Sequence, residues 1–358
     1  MTLSIISSAH DITPEWLTEL LRSSGDLDAE ATVATARVEP FGSDESMMSA
    51  LYRVHVSFDG ETNAPTSLVV KLSSDSEGAR FIASMFGFYE REIVFYNELL
   101  PKVSIRTARC LHAEMYPDDQ GFVLVLEEVT GHRQVDQVEG MNFDDAMVTV
   151  EMLADLHAPN WGADLTEISE TMLPFSSEVL QQVVPAKSLA DWEMVRPMMA
   201  DELPGEVVGL IDRFGEIMPK VMDDMMGHDT VVHGDCRADN MLFDDDGNIL
   251  VLDFQLMAVC NGMFDVSYLV SQSLESAAQD RASELVDGYL ARVASHGIEV
   301  DLEHATQAYR AAVVFNIGLA ISVLATEGLP ERSALLGRAM MERAAREVLR
   351  TDGHVYYA

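Results

Sequence analysis

His233-Gly234-Asp235-Cys236-Arg237-Ala238-Asp239-Asn240, followed by Met241-Leu242-Phe243 and Ile249-Leu250-Val251-Leu252-Asp253, is the stretch that decides the fold. The two apolar runs are β-prone, and Asp244-Asp245-Asp246-Gly247-Asn248 between them is turn chemistry. Asp-Gly is a strong two-residue hairpin signal, because Gly accepts a positive φ without steric cost. With Asp246 and Gly247 at the turn centre, Phe243 faces Leu250, Leu242 faces Val251, Met241 faces Leu252 and Asn240 faces Asp253. The hairpin then sets an amide oxygen beside a carboxylate. Asp235 lies five residues before Asn240, in a turn after the apolar Val231-Val232.

An amide oxygen and a carboxylate suit Mg²⁺, a hard cation that takes oxygen ligands and shares itself with phosphates. A carboxylate at Asp235 can reach the same place without binding the metal. It can orient a hydroxyl and accept its proton. Arg237, two residues on, can neutralise charge on a transferring phosphoryl group. His-Gly-Asp by itself reads equally well as a turn with a capping Asp. The joint spacing, Asp235 to Asn240 to Asp253 across one hairpin, favours the chemical reading.

Working outward, the N-terminal half alternates. Asp11 to Leu21 reads as an amphipathic helix with Thr13 as N-cap and Pro14 at its first position. Val33 to Val38, Ala50 to Phe58, Ser67 to Leu72 and Phe122 to Leu126 read as strands. Ala79 to Leu99 reads as one long helix, stopped before Pro101. After Gly131 helices dominate: Asn142 to His157 with Asn142 as cap, then 274–296, 303–327 and 331–350, interrupted by the one hairpin. The order implies an α+β chain of two lobes, an antiparallel sheet with a helix at 1–128 and a mostly helical lobe at 129–358, with a hinge near Glu127 to Gly131.

These residues carry a resemblance. His233 to Asn240 followed by Leu252-Asp253-Phe254-Gln255 resembles the catalytic and metal motifs of the aminoglycoside phosphotransferase and choline kinase superfamily, which has a protein-kinase-like fold. Asp253-Phe254-Gln255, the Lys71 strand and Glu92-Ile-Val-Phe-Tyr96-Asn-Glu-Leu-Leu-Pro101 resemble most its ecdysteroid-kinase-like branch, over nearly the whole chain. The resemblance implies an ATP- and Mg²⁺-dependent transfer of the γ-phosphate to a small-molecule alcohol. It implies Asp235 as base, assisted by Arg237, and Asn240 and Asp253 as metal ligands. Lys71 would hold the α- and β-phosphates and pair with Glu92, with Glu90 as the competing choice. Glu127 and Val129 would bind adenine through backbone groups, and Asp265 would brace the catalytic loop. His157 and His233 read as scaffold.

Two departures stand out. The phosphate loop, Phe41 to Ser49, contains Gly42 and Ser43 as nucleotide contacts but has one glycine and two acids, Asp44 and Glu45. Phosphates favour glycine-rich loops, whose amides can approach them. Only nine residues separate Gln255 from Asp265, too few for a segment that seats a peptide, so the acceptor is a small molecule. The acidic loop keeps a second reading open, a nucleotide-binding pseudokinase acting as a sensor or partner module. Adenylyl transfer by the same residues is a third.

Composition bounds the partners. The 358 residues include 60 Asp and Glu against 23 Lys and Arg, a net charge of −37. That field repels nucleic acid and anionic membranes. It favours a cationic acceptor weakly, whereas the Met-rich stretches near 194–199 and 218–226 and the branch resemblance favour an apolar, steroid-like alcohol, ranked slightly ahead. Cys110, Cys236 and Cys260 lack metal spacing and fit a reducing cytoplasm. The opening residues carry no basic stretch before an apolar one and do not read as a signal peptide. The apolar run Ala311 to Ala325 falls short of the roughly 20 residues of a membrane span and reads as a buried helix. Oligomeric state has no signature in the chain.

Overall fold

The structure, a computed structural model, describes residues 3–42, 48–117, 121–172 and 174–358. Ser43, Asp44 and Glu45 lie outside the described residues. The chain divides into two compact units, Met1–Lys102 with Arg106–Gly131, and Val103–Ile105 with His132–Ala358.

The first unit opens with α1 (Pro14–Ser23), where Thr13 Oγ1 accepts from the Trp16 amide as an N-cap should. Five strands follow: β1 (Thr32–Pro40), β2 (Ser49–Asp59), β3 (Ser67–Ser73), β4 (Cys110–Met115) and β5 (Phe122–Glu127). They form one antiparallel sheet in the order β1-β2-β3-β5-β4. The period of two sorts the β3 side chains. Leu68, Val70 and Leu72 join Leu17, Leu20 and Leu21 of α1 in one buried cluster with Val123 and Val125. Lys71, out of phase with them, belongs to the other face.

One helix was expected over 79–99. Two are found, α2 (Glu77–Phe86) and α3 (Phe88–Val94), the second running into a π-turn at Phe95–Leu99. Gly87 separates them at φ 67, capping α2 through its amide to the Ala83 and Ser84 carbonyls. A Gly in the left-handed region ends a helix at little cost. The strand β4 had no expectation either. Its Leu111-His112-Ala113-Glu114-Met115 alternates apolar and polar, which was the available signal, and its residues are mostly half-buried.

The second unit is mainly helical. Its helices are α4 (Phe143–His157), α5 (Thr166–Ser169), α6 (Glu178–Met199), α7 (Gly205–Ile211), α8 (Phe214–Asp224), α9 (Met263–Tyr268), α10 (Ser276–Gln279), α11 (Ala282–Ser295), α12 (Leu302–Leu324), α13 (Glu331–Arg350) and α14 (Gly353–Tyr356). Asn142 caps α4 as expected, accepting from the Asp145 amide at 3.0 Å. The single helix expected over 274–296 is the pair α10 and α11, parted at Asp280 and Arg281. Helix α12 has the length and composition to cross a membrane, yet 67% of its apolar window is buried inside the fold. It packs against α6, α8, α9 and α13.

The strands of this unit are β6 (Arg133–Gln134), β7 (Asp229–Val232), β8 (Met241–Phe243), β9 (Ile249–Val251) and β10 (Ala258–Asn261). They make two small sheets, β6-β8-β9 and β10-β7. The hairpin β8–β9 exists where expected, but its register differs by one residue. Met241 pairs with Val251, Leu242 with Leu250 and Phe243 with Ile249. Asn240 therefore meets Leu252, whose amide donates to the Asn240 carbonyl at 3.0 Å, and not Asp253. The cause is the turn. Asp244 closes on Asn248, leaving a three-residue loop with Gly247 at φ 79. The Asp244 carboxylate accepts from the Asp246 and Asn248 amides and favours this longer loop.

Candidate active site

In the first unit, Lys71 and Glu92 form a buried ion pair. Lys71 Nζ lies 2.7 Å from Glu92 Oε2, and the two residues are 6% and 2% exposed. A charge so far from water needs a partner of opposite sign, and α3 presents one to β3. The competing Glu90 is exposed. Tyr89 on α3 stacks on Phe122 at 4.3 Å and donates its hydroxyl to the Met48 carbonyl. It also accepts from the Ser74 amide. The ends of the segment between β1 and β2, and of β3, are thereby tied to α3. Gly42 stands at φ 95 at the start of that segment. Glu127 ends β5 with its side chain on Arg109 at 2.8 Å, and Val129 follows, half-buried.

In the second unit, the loop after β7 is built around Asp265. This carboxylate, wholly buried on α9, accepts from the His233 amide at 2.6 Å, the Gly234 amide at 2.9 Å and His157 Nε2 at 3.0 Å. Burial by itself would raise its pKa. The His157 bond and charge, the His233 charge and the Gly234 amide outweigh that and hold it below the ordinary value. Gly234 has φ 84, and a Cβ there would sit 2.0 Å from the Leu256 carbonyl oxygen. Only glycine lets the loop pass so close. His233 accepts the Asp235 amide on Nδ1 and donates from Nε2 to the Leu252 carbonyl, which ties the loop to the strand beyond the hairpin.

Asp235 is held from three sides. Tyr268 donates to Oδ1 at 2.9 Å, Asn240 Nδ2 to Oδ2 at 3.0 Å, and Arg237 Nε lies 3.1 Å from Oδ1. Arg237 in turn sits in the combined field of Asp235, Asp239 and Asp253, with Asp235 the largest contributor, and its pKa is raised. Asp253 is thus near Arg237 despite the shifted register. Its φ of 66 breaks the strand at that residue and turns the chain. A one-residue slip would otherwise point the carboxylate to the opposite face.

These residues fit a magnesium ion. Asn240 spends both contacts of its amide nitrogen on Asp235, leaving its oxygen for a cation. Gln255 Nε2 lies 3.5 Å from Asp253 Oδ2, and Gln255 Oε1 is buried with no hydrogen-bond partner among the described residues. All are hard oxygen donors. Among the described residues no three His, Cys, Asp or Glu side chains converge as a self-contained site. Cys236 in the same loop is wholly buried, and burial pushes its thiol far up, so it is no nucleophile.

Several residues that matter here had no expectation. Tyr268 is three residues after Asp265 on one helix, so the two share a face, and that spacing was the available signal. Gln137 is 1% exposed and accepts the Ala238 amide at 2.6 Å, while donating to Ser273 Oγ and the Gln272 carbonyl. Ser273 Oγ donates to the Cys236 carbonyl. A residue 101 positions from its partner leaves no local signal.

The ecdysteroid kinase-like family model matches residues 43–300. No curated protein matches the chain significantly. Three of the solved structures that share its fold serve as examples. A Ralstonia eutropha JMP134 protein assigned to the aminoglycoside phosphotransferases superimposes with TM-score 0.59 at 14% identity, over 96% of this chain and 98% of that one. A spectinomycin phosphotransferase, solved with ADP and spectinomycin, has TM-score 0.55 at 13% identity, over 96% and 99%. The choline kinase of Cryptosporidium parvum Iowa II has TM-score 0.55 at 10% identity, over 95% and 97%.

Proposed function

Because the chain belongs to the ecdysteroid kinase-like family, we propose that it transfers the γ-phosphate of ATP to a hydroxyl of a small molecule, with Mg²⁺ as cofactor. The observation that carries this reading is the buried Asp235 carboxylate, held by Arg237, Asn240 and Tyr268, with Asp253 in the field of the same Arg237. Residues 1–128 would bind the nucleotide, and 129–358 would hold the catalytic and acceptor groups.

Phosphoryl transfer asks a protein mainly for positioning and charge. Lys71, kept in place by Glu92, would hold the α- and β-phosphates. Gly42 and Ser43 would contribute backbone contacts to phosphate, and the Glu127 carbonyl and Val129 amide would take adenine. Asn240 and Asp253 would hold the metal, which supplies charge neutralisation of the phosphates when bound. Asp235 would orient the acceptor hydroxyl and take its proton as the bond to phosphorus forms. Arg237 commits Nε to Asp235 and would use its terminal nitrogens on developing phosphoryl charge.

For the acceptor, an apolar alcohol is preferred over an aminoglycoside or amine alcohol. Behind Tyr268 runs a chain of rings: Phe264 at 6.3 Å, then Phe315 at 5.9 Å, with half-buried Phe175 4.9 Å from Phe264. The Tyr268, Phe264 and Phe315 rings belong to the buried core, so the apolar preference rests on the Met-rich stretches near 194–199 and 218–226 and on the family. A cytoplasmic setting suits the three free thiols. The test is transfer of labelled γ-phosphate from Mg-ATP to a mixed panel of sterol, amino and sugar alcohols, with product mass distinguishing phosphate from adenylate. Asp235→Asn should lower transfer by about 10²–10⁴-fold with Mg-ATP affinity unchanged. Full activity in that variant removes Asp235 from the mechanism. The acids Asp44 and Glu45 in a glycine-poor loop sequence favour the pseudokinase as second reading. Under it Mg-ATP binds and no alcohol is phosphorylated.

A further inference from the structure

Tyr268 is set at an unusual point of the chain. Helix α9 ends on it, and the backbone continues as a π-turn over Leu269–Ser273. In an α-helix, residues five apart lie about 140° apart round the axis, since each step is about 100°. A π-turn bonds i to i+5 and brings those two residues to one side. Tyr268 and Ser273 are such a pair, and both reach the same loop. Tyr268 donates to Asp235 Oδ1 at 2.9 Å, and Ser273 Oγ donates to the neighbouring Cys236 carbonyl at 3.1 Å. A regular helix would present only one of them. The far end of the turn is pinned by the Met141 amide on the Ser273 carbonyl at 2.7 Å.

A carboxylate oxygen offers two lone-pair sites. At Oδ2 both are used, by Asn240 Nδ2 at 3.0 Å and by the Arg237 Nε–H hydrogen bond at 3.3 Å. At Oδ1 Tyr268 takes one at 2.9 Å, and Arg237 Nε adds only its charge from 3.1 Å. The site still open to a hydroxyl from outside the chain is on Oδ1, the oxygen shared with Tyr268. We infer that Tyr268 is a positioning residue for Asp235: its phenol takes one site of Oδ1, fixes the carboxylate plane and directs the acceptor hydroxyl to the other site of that oxygen. This rests on the phosphotransferase reading for its consequence and on the geometry alone for the positioning. Burial, and after it the Asp235 charge, push the Tyr268 ionisation far up, so the phenol remains a donor at physiological pH. The ring is itself fixed by packing on Phe264.

Since the acceptor is unidentified, the probe is Mg-ATP with water as phosphoryl acceptor. In the full-length protein Tyr268→Phe removes one oxygen and keeps the ring. Its kcat should fall between about ten- and a hundredfold, the range that a small misplacement of a reacting group costs. KM for Mg-ATP should stay within twofold. A kcat within twofold of wild type, or a loss shared equally with a rise in KM, overturns the inference. A crystal structure of the same variant should show the Asp235 carboxylate turned away from Asn240. An unmoved carboxylate also overturns it. If Tyr268→Phe does not fold, 3-fluorotyrosine placed at 268 reports instead: its fluorine resonance must shift on Asp235→Ala, and an unmoved resonance refutes the contact. A wild-type protein that binds Mg-ATP and phosphorylates no alcohol of the panel removes the phosphotransferase reading, whereas the carboxylate position and the fluorine shift still decide the role of Tyr268.

Discussion

Asp265 does more for this chain than any residue that would touch a substrate. It gathers two backbone amides and His157 into a site with no water around it. Breaking such a buried arrangement costs about 3–5 kcal/mol, because the remaining donors stay desolvated without an acceptor. Its pKa is lower in the folded protein than the 3.8 of a free side chain. The unfolded chain therefore binds the proton more readily. The stabilisation is complete above about pH 4 and is lost as pH falls through the folded value. Asp265→Asn should accordingly destabilise the protein at pH 7 and flatten its stability profile below pH 4. Urea titrations of both proteins across pH 3–7 measure this, and parallel acid limbs would remove Asp265 as their source. Lys71 and Glu92 follow the same logic in the first unit, where each is tolerable in the interior because the other is there.

Among the elements, the hairpin carries the main correction. Alternation located both strands and the turn, but turn chemistry decides register, and Asp244-Asp245-Asp246-Gly247-Asn248 has more than one way to close. The three-residue loop won because Asp244 caps two amides within it. Asp253 returns toward Arg237 only through its left-handed backbone, a conformation a carboxylate residue tolerates better than most. The loop before the hairpin depends on Gly234 in the same manner. A Gly234→Ala side chain would meet the Leu256 carbonyl at 2.0 Å in a left-handed conformation. That combination should cost on the order of 3 kcal/mol or more and displace Asp235. Thermal unfolding should show a drop of several degrees, and an unchanged melting temperature would mean that the loop is not tightly held. The break at Gly87 was the other element-scale surprise. Residues on both sides are good helix formers, and a single Gly inside such a pattern is ordinarily tolerated.

For the whole molecule, charge sets the terms. With 60 acids against 23 Lys and Arg, acids outnumber those cations by 37. Surface pairs such as Arg292–Asp155 contribute about 0–1 kcal/mol each and weaken in salt, yet they are outnumbered by repulsions that salt also screens. The screening length falls from about 10 Å at 0.1 M to about 3 Å at 1 M. The melting temperature should therefore rise by several degrees between 0.05 and 1 M NaCl, read by calorimetry. A fall would show that ion pairs outweigh repulsion. The same field makes any anion site demanding, since an anion approaching the chain must find local cations.

Local pattern by itself determined a good deal: the α1 cap at Thr13, the Lys71 strand, the α4 cap at Asn142, the hairpin and the two-lobe α+β order. These follow from spacing and propensity within a few residues, which a chain carries wherever it folds. The register that pairs Asn240 with Leu252, the turned backbone of Asp253 and the hold of Tyr268 and Gln137 on the loop after β7 came only with the tertiary structure. Each depends on groups from distant segments competing for the same buried donors and acceptors. That competition is settled by packing and desolvation, for which one-dimensional spacing has no measure.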